Sequence, residues 1–103
     1  MMRKQDLETI KRSTFFNPDW YRAVYPDAAR SALAPEEHYL LVGAPLERDP
    51  GPDFSTKGYL MVNPDVQKTG MIALLHYERY GKAERRTITS STDRQPAAFL
   101  ADR

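Results

Sequence analysis

The sequence predicts an all-α fold built from two tandem copies of a motif of about 38 residues. Segment 16–48 aligns with 54–86 without a gap, and proline and glycine interrupt the apolar pattern at matching places in both copies. Chance would not place identities on aromatic residues, proline and glycine so regularly. The nine identical pairs are Phe16/Phe54, Tyr21/Tyr59, Val24/Val62, Pro26/Pro64, Asp27/Asp65, His38/His76, Tyr39/Tyr77, Gly43/Gly81 and Arg48/Arg86.

Each copy is expected to contain two to three short helices. Asn17-Pro18-Asp19 is typical of a helix start, because asparagine caps the free backbone N–H groups and proline suits the first helical turn. Ser55 or Thr56 would take that role in the second copy. Pro26 and Pro64 then end the first helix and begin the next.

A third helix is predicted from about Pro35 to Val42, and from about Met71 to Tyr80. Gly43 and Gly81 would end these helices in a left-handed conformation, which glycine adopts at little cost. Helices this short need packing to be stable. The expected core is Phe16, Tyr21, Val24, Leu33, Tyr39, Phe54, Tyr59, Val62, Met71, Leu74 and Tyr77.

The chain therefore divides into four predicted regions. Residues 1–15 would form a capping helix that packs through Leu7 and Ile10. Residues 16–53 would form the first repeat with its linker, and 54–86 the second repeat. The polar segment 87–103 is predicted to be a flexible, disordered tail or linker.

The composition narrows the class of protein. The chain has 103 residues, a formal net charge of +1 and no cysteine, which excludes disulfides, thiolate metal sites and cysteine nucleophiles. No apolar run is long enough to span a bilayer, and the charged first residues do not resemble a signal peptide. We expect a cytoplasmic protein without cofactor or metal, for which nucleic acid is an unfavoured partner.

The repeated residues resemble a known family. Phe16-Asn17-Pro18-Asp19-Trp20-Tyr21, then Tyr25-Pro26-Asp27, then His38-Tyr39-Leu40-Leu41-Val42-Gly43 are similar to a tandem helical repeat of bacterial surface-polysaccharide proteins. In that family the repeat stands beside glycosyltransferase and related carbohydrate-processing domains. The second copy matches through Gly58-Tyr59-Leu60, Asn63-Pro64-Asp65-Val66, His76-Tyr77, Gly81 and Glu84-Arg85-Arg86.

This resemblance implies an accessory module rather than the transferase itself, because the sequence has no Asp-x-Asp metal motif and is too short for a nucleotide-sugar fold. Two departures stand out. Glu36 occupies a position where the family has leucine, and Glu47 and Arg85 stand where the family has a glycine before the final arginine.

The histidines are the first candidates for chemistry. His38 and His76 occupy the same repeat position, where they could act as general bases or metal ligands. Zinc needs three or four ligands, however, and neither local motif supplies a second histidine. We expect each histidine to bond a backbone carbonyl in its own unit while the adjacent tyrosine packs.

The aspartates and arginines shared by the copies have a similar structural interpretation. Asp27 and Asp65 follow proline at a helix start, where a carboxylate complements the helix dipole. Each could also form an ion pair with the arginine that closes its repeat, Arg48 or Arg86. An anion site or an acid–base pair is the alternative.

Four cations near the end of the second copy form the candidate binding site, namely Arg79, Lys82, Arg85 and Arg86. They predict either contact with an acidic glycan, phosphate or protein, or a solvated helix surface. The preferred hypothesis is a non-catalytic docking module for a protein partner or an appended enzyme domain. The alternatives are a domain that binds an acidic polymer, either glycan or nucleic acid, and an enzyme that uses the two histidines. The sequence leaves the oligomeric state open.

Overall fold

The computed structural model describes residues 3–93 and confirms the all-α class. Within this range the chain forms helices and turns, with only an isolated β-bridge between Gly51 and Phe54. We name the two short π-helical turns π1 and π2. The elements are α1 (Lys4–Arg12), α2 (Pro18–Val24), α3 (Pro26–Ala29), α4 (Pro35–His38), π1 (Tyr39–Gly43), α5 (Thr56–Val62), α6 (Pro64–Thr69), α7 (Ala73–His76) and π2 (Tyr77–Gly81).

The elements after α1 recur in two units, and corresponding helices begin 38 residues apart. The first helix of each unit starts as its sequence indicates. The Asn17 side chain accepts from the Trp20 N–H at 3.0 Å, and Ser55 accepts from the Gly58 N–H at 3.0 Å. Side-chain oxygens at these positions satisfy N–H groups that have no partner within the helix.

The third helix of each unit widens into a π turn, which the sequence did not predict. The Ala44 N–H bonds the Tyr39 carbonyl at 2.7 Å, and the Lys82 N–H bonds the Tyr77 carbonyl at the same distance. A bond to the fifth preceding residue defines the π geometry.

The predicted left-handed conformation at Gly43 and Gly81 is wrong. Neither glycine has a positive φ, whereas Glu47 and Arg85, four residues later, both have φ of 58°. Glycine is needed at both positions because a tyrosine hydroxyl lies directly against the backbone. An added Cβ would overlap the Tyr21 hydroxyl at Gly43 and the Tyr59 hydroxyl at Gly81.

The core is aromatic and continuous through both units. Fully enclosed side chains include Trp20, Tyr21, Tyr39, Phe54 and Tyr59. Phe16 packs on Tyr21 and Tyr39, with ring centroids 5.7 and 5.5 Å apart, and Phe54 packs on Tyr59 and Tyr77 in the same way, at 5.4 and 5.9 Å. The aromatic part of the predicted core is therefore present.

Two predicted core residues lie at the surface. Leu33 is 38% exposed and Val62 is 59% exposed. Leu33 corresponds to Met71, which is partly buried near Ala44 and Pro45 at the end of the first unit, whereas Leu33 lies outside that contact. Val62 is the last residue of α5, where Pro64 turns the chain away.

Helix α1 contacts the third helices of both units and packs on the core through Leu7 and Ile10. Its Ile10 is fully buried, and Asp6 forms an ion pair with Arg79 at 2.7 Å. Just beyond α1, the Ser13 hydroxyl donates to Glu78 at 2.6 Å. These bonds join the start of the chain to the second unit.

Each unit is closed by a non-helical segment that we call its strap, 49–53 in the first unit and 87–91 in the second. The first strap accepts the Asn17 N–H at the Pro50 carbonyl, and the second accepts the Ser55 N–H at the Thr89 carbonyl, at 3.0 and 2.8 Å. The straps also meet, because the Ser91 N–H bonds the Pro52 carbonyl at 2.9 Å.

The sequence predicted a flexible tail from residue 87, but residues 87–93 are bonded to the rest of the fold. Ile88 packs against the core, and Asp93 accepts a hydrogen bond from the Tyr25 hydroxyl. The remainder of the predicted tail, 94–103, lies outside the described residues. Among the helices of residues 3–93, none has the length and apolar character required to cross a bilayer.

Candidate functional site

The polar residues that recur in both units bond in pairs within each unit, and we call these pairs the network of that unit. In the first unit, the Tyr21 hydroxyl lies 2.9 Å from Nδ1 of His38, and Nε2 of that histidine lies 3.6 Å from Asp27. Arg48 Nη1 donates to both carboxylate oxygens of Asp27, at 2.9 Å each. Because Nε2 faces a carboxylate, the geometry favours the neutral tautomer that carries its proton on Nε2 and accepts a hydrogen bond from the Tyr21 hydroxyl at Nδ1.

The second unit repeats the Tyr–His bond and the Asp–Arg ion pair. The Tyr59 hydroxyl lies 2.8 Å from Nδ1 of His76, and Arg86 bonds both oxygens of Asp65 at 3.1 and 3.0 Å. Arg86 also reaches Glu84 at 2.7 Å. The Asp–Arg tie expected within each repeat is therefore present in both units.

The predicted partner of the histidines was wrong. Each histidine bonds a tyrosine hydroxyl from the first helix of its unit, not a backbone carbonyl. Sequence alone offered one signal for this pairing, since Tyr21/Tyr59 and His38/His76 are both identical between the copies.

The environment of the network makes its hydroxyls poor nucleophiles. Burial raises the pKa of Tyr21 to about 12, although the nearby Arg48 opposes the rise. Burial likewise raises the pKa of Tyr59 to about 12, against the effect of Arg86. Both hydroxyls therefore stay protonated at neutral pH and serve as hydrogen-bond donors.

The two aspartates show the opposite shift. Burial of Asp27 acts to raise its pKa, but the hydrogen bond and charge of Arg48, helped by His38, outweigh it and hold the pKa below its usual value. The pKa of Asp65 is lowered mainly by its hydrogen bond to Arg86. Both carboxylates are thus stabilised as anions by their own units.

The network joins side chains of different types, but it does not gather metal ligands. Throughout residues 3–93, no three His, Asp or Glu side chains converge in a way that could hold a metal ion. His38 is only 4% exposed, so a substrate cannot easily reach it. The clearest role of the network is to tie the helices of each unit together.

Most of the cations of the predicted binding site are engaged within the chain. Three of them already pair with carboxylates of this chain: Arg79 with Asp6, Lys82 with Glu78, and Arg86 with Asp65 and Glu84. Arg85 is exposed and forms no ion pair within residues 3–93. The site stays a prediction, with Arg85 as its most available member.

A buried carboxylate at the junction of the straps was missed by the sequence analysis. Asp49 is 2% exposed and accepts the Thr56 N–H at 2.8 Å and the Ser91 hydroxyl. Burial raises its pKa, while the hydrogen bonds from Ser91 and Thr56 oppose the rise. Comparison of the two copies did not point to Asp49, because the matching position in the second unit is Thr87.

A groove between the units was also missed. It has a volume of about 290 Å³ and lies between the residues that follow π1 and the start of α7. Its walls combine apolar side chains with Glu47, Thr56 and Gln67. A groove made by two units has no local sequence pattern, since its walls come from residues about 25 positions apart.

Large apolar side chains also reach the surface outside the groove. Met61 is 79% exposed and stands beside the exposed Val62 on α5. Scattered exposed apolar residues are normal, but adjacent ones can mark an interaction surface. The exposed large apolar residues are Leu33, Leu41, Leu46, Met61, Val62 and Tyr80.

Comparison with known proteins gives no family to which the chain can be assigned. No protein-family model, no curated protein and no solved structure matches it. The resemblance to the surface-polysaccharide repeat therefore rests on the motif residues alone.

Proposed function

We propose that the chain is a non-catalytic docking module that positions a protein partner or an appended enzyme domain. We further propose that it acts in the bacterial cytoplasm, in association with glycosyltransferases or other enzymes of polysaccharide biosynthesis. The main support for this proposal is that the polar side chains shared by the units bond to one another inside each unit. Groups so engaged support a structural rather than a catalytic role.

The surface supports docking through apolar contact. Met61 and Val62 are exposed side by side on α5, and Tyr80 is exposed on π2. Apolar side chains buried at an interface contribute binding free energy, and aromatic residues and methionine are enriched there. The resemblance of the repeat to polysaccharide proteins supports the proposed class of partner.

The alternative function is binding of an acidic polymer, either glycan or nucleic acid, through Arg79, Lys82, Arg85 and Arg86. The internal ion pairs of three of these cations weaken it, because a polymer would have to displace carboxylates that already occupy them. The possibility of an enzyme that uses His38 and His76 is weaker still, since both are bonded to tyrosines.

Affinity capture from a lysate of the source cells tests the proposal. The full chain serves as bait at low and at moderate salt, beside a Met61→Lys bait and a Lys57→Ala control on the same helix. Captured proteins are identified by mass spectrometry. We expect polysaccharide enzymes to bind wild type and Lys57→Ala at both salt concentrations, and to bind Met61→Lys weakly.

Other outcomes would contradict the proposal. Capture of glycan or nucleic acid alone, lost at moderate salt and in an Arg85→Gln bait, would favour the acidic-polymer function. Specific capture of proteins unrelated to polysaccharides would keep the docking function and remove the proposed association.

A further inference from the structure

The groove between the two units has the shape and lining of a small binding site. One wall is Ala44, Pro45 and Glu47 from the end of the first unit, and the other includes Leu60, Met71 and Ile72 from the second. Its volume of about 290 Å³ is close to the lower end of the range of about 300–1,000 Å³ for ligand pockets. It can therefore hold a side chain together with a short stretch of backbone.

Glu47 gives this groove a negative charge. No lysine or arginine lines the groove, and Glu47 forms no ion pair within residues 3–93. A carboxylate beside apolar walls interacts with a cation more strongly than one in open water. The groove is thus electrostatically complementary to a positively charged group.

A second polar group at the groove has no partner. Tyr39 lines the groove and is fully buried, and its hydroxyl makes no hydrogen bond with any described residue. Burial raises the pKa of Tyr39, and the nearby Thr56 opposes part of that rise. The two side chains nevertheless do not form a hydrogen bond. Buried hydroxyls without partners are uncommon, so an acceptor supplied from outside would satisfy this one.

We propose that the groove binds a partner protein's extended segment that carries a lysine or arginine between aliphatic side chains. The cation pairs with Glu47, the aliphatic groups pack on Leu60, Met71 and Ile72, and a backbone carbonyl accepts the Tyr39 hydroxyl after a small opening of the groove. Leu46, 58% exposed next to Glu47, extends the apolar contact beyond the groove. A peptide meets all of these requirements, whereas a simple amine offers no acceptor.

The second unit supplies a matched control position. Arg85 corresponds to Glu47 and has the same φ of 58°, but it stands at the end of the second unit, away from the groove. A glutamine at either position must adopt the same left-handed backbone conformation as the residue that it replaces. Glu47→Gln removes the proposed ion pair, and Arg85→Gln changes charge without touching it.

The test is an NMR titration of the ¹⁵N-labelled full chain with acetyl-Leu-Lys-Leu-amide, with acetyl-Leu-Glu-Leu-amide as the control peptide. We expect the lysine peptide to shift the amide resonances of Glu47, Thr56 and Met71, with a Kd on the order of 1 mM, because so small a ligand buries little surface. Glu47→Gln should weaken binding about fivefold, the effect of a partly exposed ion pair. Arg85→Gln should leave it unchanged, and Gln67→Glu should strengthen it.

Three results would overturn the inference: no groove shifts with the lysine peptide, equal binding of the glutamate peptide, or equal loss in Arg85→Gln. Groove shifts that depend on protein concentration alone would identify a second copy of the chain as the occupant, which also contradicts it. The inference rests on the proposed docking function, but the titration reports on the groove itself. A failed titration with successful capture would therefore place docking elsewhere on the surface.

Discussion

The two units share many internal bonds but differ at several positions beside those bonds. Tyr–His distances are 2.9 and 2.8 Å, and the backbone bond from Arg48 N–H to the Gly43 carbonyl matches that from Arg86 to Gly81, at 2.9 Å each. The shared bonds all lie inside one unit. This agreement shows that the recurring residues form the same bonds within each unit.

The differences concentrate at the contacts between units and straps. Trp20, fully buried in the first unit, is replaced by Gly58, where an added Cβ would press on Thr89 of the second strap. Tyr25, which stacks under Arg48 at 4.7 Å, is replaced by Asn63, which accepts from Arg86 at 2.8 Å. The units have therefore diverged where each meets a different neighbour.

The largest expected difference between the units concerns their central tyrosines. Tyr39→Ala should lower the free energy of unfolding by about 4 kcal/mol and Tyr77→Ala by about 3 kcal/mol, because removing a buried ring leaves a cavity and Tyr77 is only partly buried. Urea unfolding of both variants measures the losses. A loss near zero at Tyr39 would place that ring outside the core.

The close approach of glycine to tyrosine should be equally strict in both units. Gly43→Ala and Gly81→Ala are each expected to destabilise by about 2 kcal/mol, since the added methyl group overlaps a buried hydroxyl. The double variant Tyr21→Phe/Gly43→Ala should lose less than the sum of its single changes, because the first removes the oxygen that the second strikes. Strict additivity in thermal or urea unfolding would contradict this contact.

The left-handed residues should respond in the opposite direction. Glu47→Gly and Arg85→Gly should each stabilise the protein by about 1 kcal/mol, because glycine adopts a φ of 58° without a Cβ clash. Ala44→Gly, at a right-handed position with φ of −63°, should instead cost about 1 kcal/mol. Urea unfolding distinguishes these signs, and a loss in both left-handed variants would show that their side chains matter more than the backbone.

The smallest expected effect is a pH dependence shared by the two Asp–Arg pairs. The pKa of Asp27 and of Asp65 is lowered from 3.8 in the folded chain, so their stabilising contribution is present above that value. It is lost as the pH falls from about 4 through the lower folded pKa. Unfolding curves between pH 7 and pH 2.5 should therefore show a shallower acid loss in Asp27→Asn and Asp65→Asn than in wild type.

Asp49 provides a control of opposite sign. Its raised pKa means that its contribution is present below the usual 3.8 and declines as the pH rises through the folded value. Asp49→Asn should therefore gain on wild type as the pH rises. Parallel curves for the Asp27, Asp65 and Asp49 variants would contradict the assigned shifts.

Local features were predictable because a few neighbouring residues determine them. Asn17 can cap only the helix that follows it, and Pro26 and Pro64 allow a helix to begin but not to continue through them. The aromatic identities between the copies pointed to the core because two units must pack around equivalent positions. Residues without that repetition, such as the buried Trp20, were not assigned to the core.

Features that join distant segments were not predictable in this way. The Tyr–His bond spans 17 residues, and the groove combines Glu47 with Met71. The straps are polar and irregular in sequence, yet their carbonyls hold Asn17 and Ser55 in place. Such contacts depend on how the units pack against each other, which cannot be predicted from composition or periodicity.

Helix α1 has a consequence for the order in which the molecule can form during synthesis. Asp6 bonds Arg79 and Ser13 bonds Glu78, so these residues hold partners that lie 73 and 65 positions later in the chain. Local helices can form within microseconds, but closure between such distant positions must wait for the intervening chain. Until residues 78 and 79 have been added, these two bonds cannot form, and until α7 has been added, only the first unit's third helix is present for α1 to pack against.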